Sequence, residues 1–297
     1  MRDDKGGTEL TKNLSIVDSQ VHIWERNHRG RPWAGDGHGP DEVTMEQTLG
    51  IMDRVGVDAA IIVSPWSVYR FDATYALEVA STAPARFRVV VPVDPTADDA
   101  LSCVDELQAN PMAVGLRLVV VSDRDADLVR SGAADSVLAL AEATGQPVCV
   151  ACQGRLGVVA DIAPRFAGLP IVVDHLGLEQ PLKPPVPREP FRNLATLLGL
   201  ATYSNVFVKI TGVPTLSHER YPYADIWPAL HRVFAAFGLG RCMWGTDWTR
   251  TTELLSYDDA LRCFTETHEL SDGEKAQLLG TTLRTIFRWP AELSPLA

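Results

Sequence analysis

No apolar run in this 297-residue chain reaches the roughly 18 to 20 residues that a membrane span needs. The opening MRDDKGGTELTKNLS lacks the apolar stretch of a secretory signal, so residues 1–14 read as a polar tail ahead of a folded unit at 15–297. Positive charge is also short. The 27 Lys and Arg face 38 Asp and Glu, and the net charge of −11 argues against non-specific attraction to nucleic acid or an anionic membrane. It does not restrict a small substrate, because a pocket can carry the opposite sign locally. Cysteine is sparse and odd in number: Cys103, Cys149, Cys152, Cys242 and Cys263 are scattered through apolar segments, unlike a disulfide scaffold. Cys149 and Cys152 form a C-x-x-C, but they lie in PVCVAC, which reads as a strand. Positions three apart on a strand face opposite ways, so buried thiols are expected rather than a redox pair. No glycine-rich phosphate loop follows an early strand, and no low-complexity tract or repeat beyond a strand–helix period is visible. These absences favour a cytoplasmic globular protein, with a homo-oligomer left open.

Apolar residues make up 46% of the chain and charged residues 22%, ordinary values for a protein with a large core. Short β-branched runs alternate with helical stretches eight times. Strands are predicted at 16–22, 59–64, 87–93, 113–119, 147–153, 171–175, 206–211 and 242–247. Helices are predicted at 45–55, 73–83, 98–109, 134–144, 157–166, 191–202, 226–237 and 257–267. A last helix over 272–287 opens with Ser271 as N-cap and Glu274 three residues on, a capping-box pattern. Runs such as AAIIVS and PIVVD are almost continuously apolar, which suits parallel strands covered on both faces. Eight such units point to a closed (β/α)₈ TIM barrel in one domain, with a doubly wound open sheet as the alternative. Two segments break the rhythm: 25–40 after the first strand, and the proline-rich 178–190 after the sixth. Both follow strand C-termini, where such barrels carry their sites, so they are candidate walls or lids, with surface decoration as the plainer reading.

Polar groups close several apolar runs. In IVDSQVHIW, period two places Asp18, Gln20, His22 and Trp24 on one face and Val17, Val21 and Ile23 on the other. IVVDH ends in His175 and MWGTD in Asp247. A lone buried His is usually a hydrogen-bonded core residue, but three such groups at equivalent strand ends suggest catalysis at the barrel rim. His28 and His38 fall in the first long loop, within reach of such a site, whereas His218, His231 and His268 show no pattern.

The ordered segments DSQVHIW, MDRVGVDAAIIVSP, VGLRL, IVVDHLG, VFVKITG and RCMWGTDW cover the chain from Ile16 to Phe287. Together they resemble the amidohydrolase-related group of TIM-barrel proteins, which includes sugar-lactone and dicarboxylate-lactone hydrolases. The resemblance implies a barrel hydrolase, lactonase-like, with a polar site at the strand C-termini. It also exposes a departure. Metal-dependent members open with His-x-His, and this chain has Gln20-x-His22; a neutral amide is a poor zinc ligand. The fifth strand, ending Ala151-Cys152-Gln153, offers neither the His nor the modified Lys of those relatives. A mononuclear zinc site on His22, His175 and Asp247 is the alternative, and no cofactor is the favoured reading.

On the metal-free reading Asp247 is the general base and His22 and His175, with Lys209, donate to the developing oxyanion. Arg117, alternating with Leu116 and Leu118, suits a substrate carboxylate, and Arg155 just past the fifth strand is a second candidate. Lys209 needs an acidic partner, with Asp18 or Asp247 expected, or a substrate anion. Trp24, Trp66, Tyr69 and Trp248 fall at strand ends and, with Gln20 and Gln153, complete the substrate-binding set; packing under loops is the plainer role for the aromatics. Lactone hydrolysis leads. Lactone isomerisation, non-oxidative decarboxylation and non-catalytic binding of a small molecule are the rivals.

Overall fold

Strand-forming runs that are apolar on both faces can pair only in parallel with helices covering them, and the chain does this eight times over. The computed structural model describes residues 14–37 and 39–289. The strands are β1 (Val17–Val21), β2 (Ala59–Val63), β3 (Phe87–Pro92), β4 (Ala113–Val119), β5 (Val148–Ala151), β6 (Ile171–Val173), β7 (Val206–Thr211) and β8 (Cys242–Gly245). They pair in sequence order, each parallel to the next. The seam between β1 and β8 is held by Asp247 N donating to Gln20 O at 3.0 Å and Thr246 N donating to Asp18 Oδ1 at 3.0 Å. The fold is a (β/α)₈ barrel, as the periodicity predicts.

Two cores result. Val17, Ile61, Val90, Cys149, Val172 and Met243 fill the barrel interior over a floor of Leu283, Phe287 and Trp289. A larger layer, including Ile62, Val89, Val150 and Phe264, lies between sheet and helices. Cys149 and Cys152 fall into these two different cores, and all five cysteines are free thiols. β1 corrects the even alternation read from the sequence. Val17 packs inside the barrel while Val21 and Ile23 pack outside, because the β1–β2 register shifts between Asp18 and Val21. The irregularity turns Gln20 and His22 inward above Val17.

Several strands are shorter than their apolar runs: β6 stops at Val173 and β8 at Gly245, and His175 and Asp247 follow in left-handed backbone. A helix that the sequence reading omits spans Asp123–Arg130, with Ser122 and Asp125 forming a capping box. The predicted last helix keeps its Ser271–Glu274 box but divides into Asp272–Ala276, a π-turn at Gln277–Thr281, and Thr282–Ile286. The polar tail lies almost wholly outside the described residues, as does His38.

Candidate active site

Above the apolar interior the barrel turns polar, in two storeys. The lower one is an ion cluster. Asp174 receives Lys209 Nζ at 2.9 Å and Arg117 Nε at 2.8 Å, all three being buried. The register explains the meeting: Val172 lies beside Phe207 and Val173 beside Val208, so the next positions, Asp174 and Lys209, are neighbours. Lys209 therefore pairs with neither Asp18 nor Asp247, which corrects the expectation from sequence. Burial alone would raise the Asp174 carboxyl, but Lys209 and then Arg117 hold it well below the usual carboxylate range. Lys209 is raised in turn: burial disfavours its charge, but Asp174, joined by Cys149, more than offsets it. Asp18 belongs to the seam instead. Burial pushes it up to about 6, even though Thr246, Gln20 N and Tyr257 all donate to it.

The upper storey orients the imidazoles. Lys209 Nζ also donates to Gln20 Oε1 at 3.0 Å, so Gln20 turns its amide nitrogen to His175 Nε2, 3.1 Å away. Burial pushes the His175 imidazole down to about 3 against the pull of Asp247, so the ring is neutral. With Nε2 accepting, its one proton sits on Nδ1, which donates to Thr211 Oγ1 at 2.7 Å. Both nitrogens of His175 are thus engaged within the protein. His22 is set differently: Nδ1 donates to Val63 O at 2.7 Å and Nε2 lies 3.1 Å from Asp247 Oδ1.

Asp247 joins these groups. Its Oδ2 accepts from Arg250 Nε, and His175 Nδ1 is 3.6 Å away. Its Oδ1 is buried with His22 alongside and takes no aligned hydrogen bond among the described residues. Burial would raise this carboxyl, but the Arg250 guanidinium above all, then His175 and His22, hold it far below the usual range. Arg250 also donates to Gln180 Oε1 at 2.6 Å and Pro181 O at 3.4 Å, tying the turn after β8 to the long loop after β6.

These groups open into a cavity of about 320 Å³ whose lining includes His22, Arg117, His175, Asp247 and Arg250. Trp24, Trp66 and Gln153 also line it. Arg117 spends its Nε on Asp174, and its terminal nitrogens make no hydrogen bond among the described residues. Gln20 and Lys209 lie beneath the cavity rather than on its wall. Three expected residues stand elsewhere. Arg155 pairs with Asp123 at 3.0 Å, Tyr69 packs with Trp24, Val43 and Val68 while its hydroxyl accepts from Glu25 N, and Trp248 meets Tyr257 edge-on. Of the other histidines, His28 pairs with Glu25 at the surface and His231 with Glu269. Arg250 and Asp174 escaped the sequence reading. Each had a signal: Asp174 precedes His175 on the same strand end, and Arg250 lies one helical turn past Asp247.

These donors do not converge as a divalent metal needs. Gln20 Oε1 faces an ammonium and His175 Nε2 faces the Gln20 amide, so only His22 and Asp247 keep donors directed at a common point. Among the described residues no group of three or more His, Cys, Asp or Glu is disposed around such a point. His22 has one nitrogen on a carbonyl, as metal-bound histidines do, but its other nitrogen faces Asp247 Oδ1.

Comparison with known proteins agrees with the barrel. A family model described as "Amidohydrolase" matches residues 17–289. The chain is 25% identical over 212 residues to a 4-sulfomuconolactone hydrolase of Hydrogenophaga intermedia, covering 70% of this chain and 66%, just under two thirds, of that relative. It is 28% identical over 249 residues to an L-fucono-1,5-lactonase of Burkholderia ambifaria, covering 78% of this chain and 79% of the other. Among solved structures, an amidohydrolase from Burkholderia multivorans with bound zinc superposes with a TM-score of 0.76 at 23% identity, over 93% of this chain and 99% of that one. That likeness bears on the fold alone.

Proposed function

The chain belongs to the amidohydrolase family, and from that premise we propose that it is a hydrolase that opens a lactone ring by adding water, with Asp247 as general base and without a resident metal. The observation that carries this reading is the Asp247 carboxylate on a residue lining the cavity, anchored through Oδ2 by Arg250 and with Oδ1 facing, among the described residues, only His22 Nε2, 3.1 Å away. The names of the two relatives support the substrate class.

A water beside Oδ1 gives its proton to Asp247 as its oxygen bonds to the lactone carbonyl carbon. Negative charge develops on the carbonyl oxygen, to which His22 donates from Nε2 as the doubly protonated ring, because the Nδ1 proton is committed to Val63 O. The tetrahedral species collapses by breaking the ring C–O bond, and the ring oxygen takes the proton back from Asp247. The product is a hydroxy acid. Arg117 offers its terminal nitrogens to a substrate carboxylate. His175, with both nitrogens engaged, is a positioning residue: it relays the Lys209–Gln20 chain to Thr211 and the flank of Asp247.

A screen of lactones in a weakly buffered pH-indicator assay tests the reaction. Ring opening releases acid, whereas carbon dioxide evolution without acid release would replace hydrolysis by decarboxylation. Asp247→Asn is expected to lower kcat by about 10³-fold or more, since removing a general base costs on the order of 10² to 10⁴. Chelation and metal-stripping should leave the rate unchanged. Loss of activity on chelation, restored by zinc, would reinstate the metal-assisted route.

A further inference from the structure

A second cavity of about 400 Å³ adjoins the catalytic one, and Trp66, Val119 and Val121 line both. It lies over the ends of β3 and β4 and under the helix Asp123–Arg130, on the side of the mouth away from His175 and Asp247. Its inner wall is apolar, with Phe71, Val93, Pro95, Leu128 and Val129 added to the shared residues. Its carboxylates are spent locally: Asp94 accepts from Thr96 N and Oγ1, and Asp125 from the Val121 and Ser122 amides. Arg124 stands at the outer edge, exposed. Besides Arg124 and the unpaired Nε1 of Trp66, a polyhydroxylated ring would find few free side-chain partners there.

The surface pattern points the same way. Among the described residues the large hydrophobics that stand most exposed are Phe71 (39%), Leu101 (44%), Val121 (49%) and Leu182 (37%). Three of these four, all but Leu101, line one or both of the two cavities. Scattered exposed apolar groups need no explanation, but a cluster at a cavity mouth does. The arrangement is also built at a cost. Arg70 sits at φ 56°, ψ −116°, a backbone state that a residue with a side chain rarely adopts, and from there it lays its guanidinium over the Trp66 ring, 4.1 Å from the centroid. The next residue, Phe71, meets Trp66 edge-on at 6.4 Å. Trp66 is thereby fixed as the partition between the two cavities.

We propose that the second cavity is a substrate subsite for an apolar substituent, alkyl or aryl, so that the preferred lactone carries a hydrophobic arm beside its ring. The inference rests on the lactonase reading for the ring end and adds the class of substituent. The arm passes between Trp66 and Val121 and lies against Phe71 and Leu128.

The test is a series of lactones of one ring size with methyl to octyl arms, a phenyl-bearing member, and a sugar-acid lactone. In the wild-type protein kcat/KM should rise about threefold to fourfold per methylene, the value of a buried CH₂, and level off as the cavity fills. In Phe71→Ser, at a half-exposed position where folding is not at stake, and in Leu128→Trp, which fills the cavity, the octyl-to-methyl ratio should fall at least tenfold. A flat series, or preference for the sugar-acid lactone, overturns the proposal. Binding separates the two readings: ring-opened hydroxy acids titrated into Asp247→Asn should gain affinity with arm length, and lose that gain in Asp247→Asn/Leu128→Trp. Turnover without arm dependence sinks the subsite alone. Arm-dependent binding without turnover of any lactone sinks the hydrolase reading and leaves the subsite standing.

Discussion

Asp247 keeps its charge against burial because basic groups surround it, Arg250 being the largest single contributor. With Arg250 in place the carboxyl stays well below the usual carboxylate range, so the acid limb of a rate profile should not come from Asp247. Arg250→Met leaves burial opposed only by the imidazoles, and the carboxyl then moves up toward its usual range or beyond. An acid limb absent from the wild type should then appear in kcat/KM measured over about pH 4 to 9. Identical profiles would show that Arg250 does not govern the base. Gln20 is the second informative residue. Gln20→Leu removes one of the two acceptors of Lys209 and the donor to His175, and each buried polar atom left unpaired costs on the order of 1–3 kcal/mol. We expect kcat to drop about tenfold to a hundredfold with KM little changed, read from initial rates on an accepted lactone; a shift in KM alone would deny the positioning role. The sequence showed Gln20 as a missing metal ligand, but not what the amide does instead. That depends on which carboxylate Lys209 meets, and the meeting with Asp174 follows from strand register, which no single strand reveals.

At the scale of elements, the functional side chains stand just past strands that end early. His175 and Leu176 have φ of 55° and 60°, and Asp247 has φ of 52°, left-handed states that turn the chain sharply out of the sheet. Hydrophobic alternation cannot register this, which is why β6 and β8 were read as running on to His175 and Asp247. The helix at Asp123–Arg130 does not stand out in the sequence because it is short and mostly charged, although its Ser122–Asp125 box is there to read. Strand order, by contrast, followed directly from the eight-fold alternation of runs. The seam depends on one glycine. A Cβ on Gly245 would lie 2.5 Å from Ser19 Oγ, 2.6 Å from Thr211 Cγ2 and 2.9 Å from Asp18 Oδ1. Gly245→Ala should therefore force β8 away from β1 and destabilise the fold by roughly 1–3 kcal/mol, the usual cost of overpacking. Urea denaturation measures this, and an unchanged midpoint would mean that the seam yields freely.

For the molecule as a whole, pH acts through buried carboxylates of opposite sense. Asp18 is raised to about 6, against about 3.9 for the unfolded chain, so the folded state binds more protons between those values. Its stabilising contribution is complete below pH 4 and is lost as pH rises through 6, a change of roughly 3 kcal/mol at 1.36 kcal/mol per unit. Asp174 and Asp247, both depressed, contribute stability above the unfolded value that is lost only in strong acid. In Asp18→Asn, the Thr246 and Tyr257 hydroxyls can turn to accept from the amide, and the decline between about pH 4 and 6 should flatten. Urea midpoints at either end of that window check it; an unaltered slope would assign the decline elsewhere. The bond from Arg250 to Gln180 and Pro181 acts at this scale too. The guanidinium that holds the Asp247 carboxylate also fastens the turn after β8 to the loop after β6, so Arg250→Met should disturb the carboxyl and the rim of the cavity together. The charge of that carboxylate and the closeness of the two segments therefore depend on one side chain.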